Sequence, residues 1–418
     1  MSGAPEGWHR REDCRVCGER APEVFLALGP MPLANALLPD PSAFADEPSY
    51  PLDVAFCPRC TLVQTPDVVD PERLFAHYLY VSGTSETMAA HHRAYAEALV
   101  GELGLGAGDR VVEVASNDGS LLARFRERGV PVLGVEPARN VAALAEEAGI
   151  PTRRRFFDRE TGRALREEEG PAAAVLANNV LAHVDDPVGF LAGMRALLRP
   201  GGVAVVEVPS LAELVDRLEY DTIYHEHLSY FSVSALAHAF ARAELALVRV
   251  DEVPVHGGSL RLRGVRAEEA SGHAPDVRRR IEKEEAQGLA SAARYRRFAA
   301  DVHAHRDALR AWLDACRAEG RRLAAYGAPA KGNTLLNWCG VDASQIPFTV
   351  DRSPLKVGRF TPGAHLPVRP VEALAEARPD DVLILAWNFA AEVVRQQDAL
   401  VREGTRFWVP VPEPRRAA

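Results

Sequence analysis

The sequence predicts an α/β protein of about three domains: a small N-terminal module, a central domain with a mostly parallel sheet, and a smaller C-terminal α/β unit. Three observations carry that reading. The chain of 418 residues is too long for one ordinary core, a Pro-rich opening holds two Cys-x-x-Cys pairs, and two later regions alternate short apolar strands with helical stretches.

The first domain, residues 1–75, is short of helical periodicity, and Pro30, Pro32, Pro39, Pro41, Pro48 and Pro51 break any long element. Such a segment needs an outside staple. Cys14-x-x-Cys17 and Cys57-x-x-Cys60 supply two knuckles whose four thiolates can surround a soft divalent ion, and zinc fits that ligand set best. All four positions are protein ligands, so the ion is expected to hold the fold rather than to bind substrate. Cys316 and Cys339 stand alone and read as buried packing residues.

The second domain is expected over residues 76–250. Val111 to Ala115 reads as an apolar strand, Ser116 to Ser120 as a tight turn and Leu121 to Arg128 as a helix. A second strand, Val132 to Glu136, ends in an acid, and further strands are expected at Ala173 to Ala177 and Val203 to Val208. In an open parallel sheet the ligand lies across the carboxyl ends of the strands. Ser116, Asn117, Asp118, Gly119 and Glu136 therefore belong to one site, with Glu136 suited to a ribose diol. NAD and S-adenosylmethionine share that geometry. A pyrophosphate needs G-x-G-x-x-G, whereas this loop has a single glycine and an extra acid, Asp118, that would repel it. S-adenosylmethionine, a sulfonium cation, is favoured; an NAD-linked oxidoreductase and a ligand-binding scaffold without catalysis are the alternatives.

The third domain, residues 251–418, opens with a long charged helical region from Asp276 to Ala318, broken at most by Gly288, that links or braces two domains. A strand from Arg322 to Tyr326, a turn from Gly327 to Gly332 and a helix start from Thr334 to Trp338 follow, then strands at Phe348 to Val350, Val382 to Ala386 and Phe407 to Pro410. The turn can cradle a diphosphate with its amides and Lys331, and His256, Gly258, Ser259 and Arg261 can line the same cleft. A tight turn with a solvated lysine is the plainer alternative.

Tyr224-His225-Glu226-His227 stands just after what reads as the last core strands of the central domain. Two imidazoles, a carboxylate and a phenol suit acid–base chemistry, although such a block is also a common surface turn. It lacks the spacing of H-E-x-x-H and has no third ligand nearby, so it makes a poor metal site.

Lys+Arg 49 against Asp+Glu 58 gives a net charge of -9, which offers a nucleic-acid partner little support. No apolar run approaches the ~20 residues that span a bilayer, and Met1 to Arg11 lacks the apolar stretch of a secretion signal. The expectation is a cytoplasmic protein with a small-molecule substrate and no membrane partner.

The two cysteine knuckles, Tyr78 to Ser85, Glu113 to Gly119, Ala177 to His183, Tyr224 to His227, His256 to Ser259 and Tyr326 to Lys331 occur in one order. Together these blocks resemble the S-adenosylmethionine-dependent C-methyltransferases of nucleotide-activated deoxysugars, a family that includes the 3-C-methyltransferase of the tetronitrose pathway. The resemblance covers nearly the whole chain. It implies a zinc-binding N-terminal module, a central class I methyltransferase (Rossmann-like) domain and a C-terminal Rossmann-like domain enclosing a dTDP-4-keto-deoxysugar, in a monomer. Glu113 and Asn178 then join the cofactor site, Tyr78 the catalytic group, and Tyr80 and Ser82 the sugar contacts. The carbon next to the ketone becomes a nucleophile when a base removes its proton and a donor stabilises the enolate oxygen. His227 is the expected base, Glu226 its orienting partner, Tyr224 a support on the face of Glu226 if the segment is extended, and His183 the donor. C3 is the favoured position, with C5 the alternative in the same family. His225 varies among relatives and has no role assigned.

Overall fold

The computed structural model describes residues 6–75, 83, 86–255 and 257–418. Four buried residues, Val111–Val114, form an inner strand of a seven-stranded sheet. Val132–Val135 and Thr152–Arg153 lie to one side; Ala172–Asn178, Leu198–Pro209, Ser259–Arg266 and Leu245–Val253 lie to the other. Neighbours are parallel except at Ser259–Arg266, which runs antiparallel to both strands beside it. Strands so uniformly apolar must be covered on both faces. Phe190, Leu191 and Met194 pack on one face, and Leu121, Leu122 and Phe125 on the other. Chain order reverses beside Val111–Val114, so the ligand crevice opens at the carboxyl ends of that strand and of Ala172–Asn178.

Two expectations change here. Ser259–Arg266 lies beyond residue 250 yet completes the central sheet, so that sheet runs past the expected domain boundary. Tyr224 to His227 therefore precedes the last two core strands rather than following them.

The N-terminal module builds an antiparallel sheet from Glu23–Pro32, Ser49–Phe56 and Val63–Gln64, and its fourth strand, Ser229–Tyr230, is lent by the central domain. Its two knuckles bring Cys14, Cys17, Cys57 and Cys60 together with all four Sγ atoms within 4.8 Å of one another. Cys14 and Cys60 lie 3.3 Å apart, and Cys17 and Cys57 3.5 Å. A tetrahedral zinc with Zn–S bonds of about 2.3 Å needs sulfurs roughly 3.8 Å apart, so the cluster fits the ion.

The C-terminal unit is a second parallel sheet, ordered Val368–Arg369, Thr349–Val350, Leu323–Tyr326, Asp381–Ile384 and Arg406–Val409, with Arg415–Arg416 antiparallel at its edge. Before it the expected helical region forms two helices, Pro275–Ala286 and Ala292–Ala318, separated around Gly288 at φ 82°. The second helix buries Tyr295, Phe298, Val302, His305, Leu309, Leu313 and Cys316, a stripe at three- and four-residue spacing. Tyr295 meets Phe25 and Phe56 of the N-terminal module, while the other end of the stripe packs with Leu323 and Leu383 of the C-terminal sheet. It braces the molecule end to end. Among the described residues no helix is long and apolar enough to cross a membrane.

Because the N-terminal module has little core of its own, removing the ion should cost it its shape. Chelation, or Cys57→Ser, is expected to lower the melting temperature by about 10 °C. Thermal unfolding followed alongside zinc content checks this, and an unchanged melt in metal-free protein would refute a structural ion.

Candidate active site

At the crevice, the turn after Val111–Val114 is held in a strained shape by its own side chains. Ala115, Asn117 and Gly119 have φ of 55°, 50° and 72°. At Gly119 a Cβ would stand 2.9 Å from Ile150, so the position takes no side chain. Glu136 at the end of the second strand accepts the amides of Asn117 at 2.9 Å and Ala138 at 2.8 Å. Each carboxylate oxygen keeps a second lone pair free to accept from a ribose hydroxyl. Asp118 accepts the amide of Gly83 at 2.9 Å. Ser116 Oγ is buried among the loop residues with no partner among those described.

Four acids face this region. Glu113 is buried, accepts from Asn178 Nδ2 at 3.0 Å, and is pushed up to about 8, first by desolvation and then by the nearby Asp118, Glu136 and Glu207. Burial also raises Glu136. Glu207 goes the other way: burial alone would raise it, but His91 at 3.2 Å and Arg261 at 2.7 Å hold it ionised. With Glu113 able to ionise beside a cation, this set of acids suits a cation better than a pyrophosphate, in keeping with the single-glycine loop.

His183 closes the turn Leu181–His183 that follows Ala172–Asn178, and its ring meets His227 edge-on, 4.8 Å between centroids. Burial pushes His183 down to about 4, so it is a neutral imidazole at ordinary pH. His227 Nδ1 lies 2.7 Å from the carbonyl of Thr222, and its Nε2 3.0 Å from the hydroxyl of Tyr224. A carbonyl can only accept, so Nδ1 carries the proton and a neutral His227 presents its lone pair on Nε2.

The block is a turn, closed by the His227 amide donating to the Tyr224 carbonyl at 2.8 Å, and not an extended strand. Two expectations are corrected as a result. Tyr224 stacks on His227 at 4.1 Å instead of sharing a face with Glu226. Thr222 orients Nδ1 of His227, whereas Glu226 turns into the protein and accepts from Asn35 Nδ2 at 2.7 Å. Burial pushes Glu226 up to about 7. His225 is buried as well, its Nε2 facing the carbonyls of Tyr50 and Pro51 at 3.2 and 3.1 Å, which gives it a structural place. Asn35 and Thr222 carried no sequence signal, since one lies in a Pro-rich stretch and the other contributes only its backbone oxygen.

Of the expected sugar-nucleotide contacts, Arg261 does not reach the cleft. Its guanidinium pairs with Glu207 and stacks on Tyr95 at 3.7 Å inside the central domain, because Ser259–Arg266 is a core strand. Ser259 is buried and donates to the carbonyl of Val255, while Gly258 accepts from the amide of Ser210. Lys331 sits in the first turn of the helix Ala330–Cys339, its ammonium 4.4 Å over the ring of Trp387. Tyr78, Tyr80, Ser82 and His256 lie outside the described residues.

The C-methyltransferase NovU of Streptomyces niveus is 38% identical over 404 residues, 97% of this chain and 96% of that protein. A ubiquinone biosynthesis O-methyltransferase of Methylocella silvestris is 30% identical over 36% of the chain and 64% of its own length. Three family models match in succession: a zinc binding domain over residues 14–75, a methyltransferase domain over 88–250 and a C-methyltransferase C-terminal domain over 254–412. Among solved structures, a Burkholderia thailandensis 1,6-didemethyltoxoflavin-N1-methyltransferase shares 23% identity over 43% of this chain and 79% of that one, with a TM-score of 0.33.

The cofactor is S-adenosylmethionine, and the raised carboxyl of Glu113 predicts a pH-dependent uptake. A cation beside Glu113 favours the ionised form, so binding below pH 8 should release a proton and tighten as pH rises. Between pH 6 and 8 the affinity is expected to increase by about tenfold, and Glu113→Gln to flatten that slope. Calorimetry in buffers of different ionisation heat measures both. The same shift works against the cofactor-free fold. A raised acid contributes stability that is complete below its unfolded value of 4.5 and lost as pH rises through 8.

Proposed function

Since the chain belongs to the S-adenosylmethionine-dependent C-methyltransferase family, we propose that it methylates the carbon next to the ketone of a dTDP-4-keto-deoxysugar in a biosynthetic pathway. The observation that supports this most is the environment of His227: Nδ1 held on the Thr222 carbonyl, Nε2 facing Tyr224, and a neutral His183 beside it. The dTDP-sugar itself rests on the ordered sequence blocks from the cysteine knuckles to Lys331.

In this reading Nε2 of His227 takes the proton from the carbon flanking the ketone, and the electron pair passes to the ketone oxygen. Nε2 has a single lone pair, so the Tyr224 hydroxyl gives up its hydrogen bond there when the carbon acid enters, and the ring contact keeps the imidazole aimed. His183 remains neutral, so it can donate one N–H to the enolate oxygen without adding a charge that competes with the cofactor. S-adenosylmethionine would supply the methyl group, its sulfur keeping the electron pair of the broken methyl–sulfur bond. Glu136, Asn117 and Asp118 hold the adenosine and methionine portions, so that positioning sets the rate. Zinc is remote in role, since all four of its ligands belong to the knuckles.

Incubation with dTDP-4-keto-6-deoxysugars in heavy water, first without methyl donor, tests the base and the position together. Exchange is expected at one carbon beside the ketone, C3 by resemblance, with C5 as the other outcome, and methylation should follow at that carbon once S-adenosylmethionine is added. His227→Ala should lower both rates by about 10²–10⁴-fold, and Tyr224→Phe by a smaller factor. Full turnover in His227→Ala with the fold intact would end the assignment of the base.

A further inference from the structure

The carbonyl that orients His227 is itself gripped from the C-terminal unit. Thr222 ends the short turn Tyr220–Thr222, whose first two residues are fully buried. The hydroxyl of Tyr220 lies 2.8 Å from Nδ1 of His305 in the long helix, and Nε2 of His305 lies 2.7 Å from the carbonyl of Pro410 at the end of the C-terminal sheet. Since the carbonyl only accepts, His305 donates through Nε2 and Nδ1 accepts from Tyr220. Burial holds His305 below the usual imidazole range, which keeps that neutral form. The next residue, Asp221, accepts the indole N–H of Trp387 at 2.6 Å. Two consecutive buried residues thus end in hydrogen bonds to the far domain, one residue short of the carbonyl that meets His227.

We infer that Tyr220, Asp221, His305 and Trp387 are positioning residues for the proton transfer, the means by which the C-terminal unit sets the Thr222 carbonyl and through it the tautomer and aim of His227. The inference rests on His227 as the base. A merely structural role would be met more cheaply by apolar side chains, because a buried carboxyl or hydroxyl is costly unless bonded. What the polar pairs add is direction. A hydrogen bond fixes the turn along two axes, and a misplacement of about 1 Å at a reacting group can cost on the order of 10²-fold in rate. Trp387 also carries Lys331 on its ring, so the candidate diphosphate contact and the support of the base share one side chain.

Trp387→Phe tests this, since it keeps an aromatic ring for Lys331 and deletes the N–H along with part of the indole. It is expected to lower the rate of deuterium exchange and kcat by about tenfold while the affinity for S-adenosylmethionine stays within about twofold. Asp221→Asn, which retains an acceptor oxygen, should keep most of the rate, and Asp221→Leu should lose it. Nitrogen-15 spectra of histidine-labelled protein supply the readout that stability alone would not move: the protonated Nδ1 signal of His227 should shift toward a tautomeric mixture in Trp387→Phe and in Tyr220→Phe. Wild-type rates together with an unchanged His227 spectrum in these variants would overturn the inference. Activity retained in His227→Ala would instead remove the base assignment, and the spectral shift would then report position without catalysis.

Discussion

A four-residue turn cannot bury two ionisable side chains unless each finds a partner away from water, and that requirement draws the N-terminal module onto Tyr224 to His227. Asn35 meets Glu226, the carbonyls of Tyr50 and Pro51 meet His225, and Thr65 Oγ1 donates to the carbonyl of His227 at 2.7 Å. Leu228 then donates to the carbonyl of Ala182 in the central domain at 2.7 Å. The outer members, Tyr224 and His227, are partly buried and pack on each other, with His183 against His227. Two buried residues between two partly buried ones is the pattern of a turn, not of a strand.

Electrostatics divides the central domain in a consistent way. The cofactor loop sets Asp118 and Glu136 near a Glu113 that is mostly protonated at ordinary pH, while Arg261 and His91 hold Glu207 ionised. Around His227 desolvation acts on both kinds of group, pushing His183 down to about 4 and Glu226 up to about 7.

Much of this was legible in the sequence where the chemistry is local. Four cysteines in two knuckles can serve few purposes, and they converge as their spacing implies. Strand-turn-helix periodicity located the strands it named, because apolar runs such as Val111–Val114 leave little choice, but Val203 to Val208 is part of the longer Leu198–Pro209, and Thr152–Arg153, Leu245–Val253, Ser259–Arg266 and Val368–Arg369 were not expected. Long-range pairing was not legible. Ser259–Arg266 belongs to the central sheet because it pairs with Leu198–Pro209 far upstream, which moved Arg261 from the expected cleft to Glu207. The partner of Glu226 could not be read either, since Asn35 is 191 residues away in a stretch with no periodicity.

One consequence lies in the strand Ser229–Tyr230, which pairs with Val63–Gln64 to finish the sheet of the N-terminal module. During synthesis the module is made first, and its metal knuckles can close at once, but the Val63–Gln64 edge stays unpaired until residue 230 has left the ribosome. The same strand follows directly on the turn Tyr224 to His227, so completion of the module's sheet and placement of His227 are coupled.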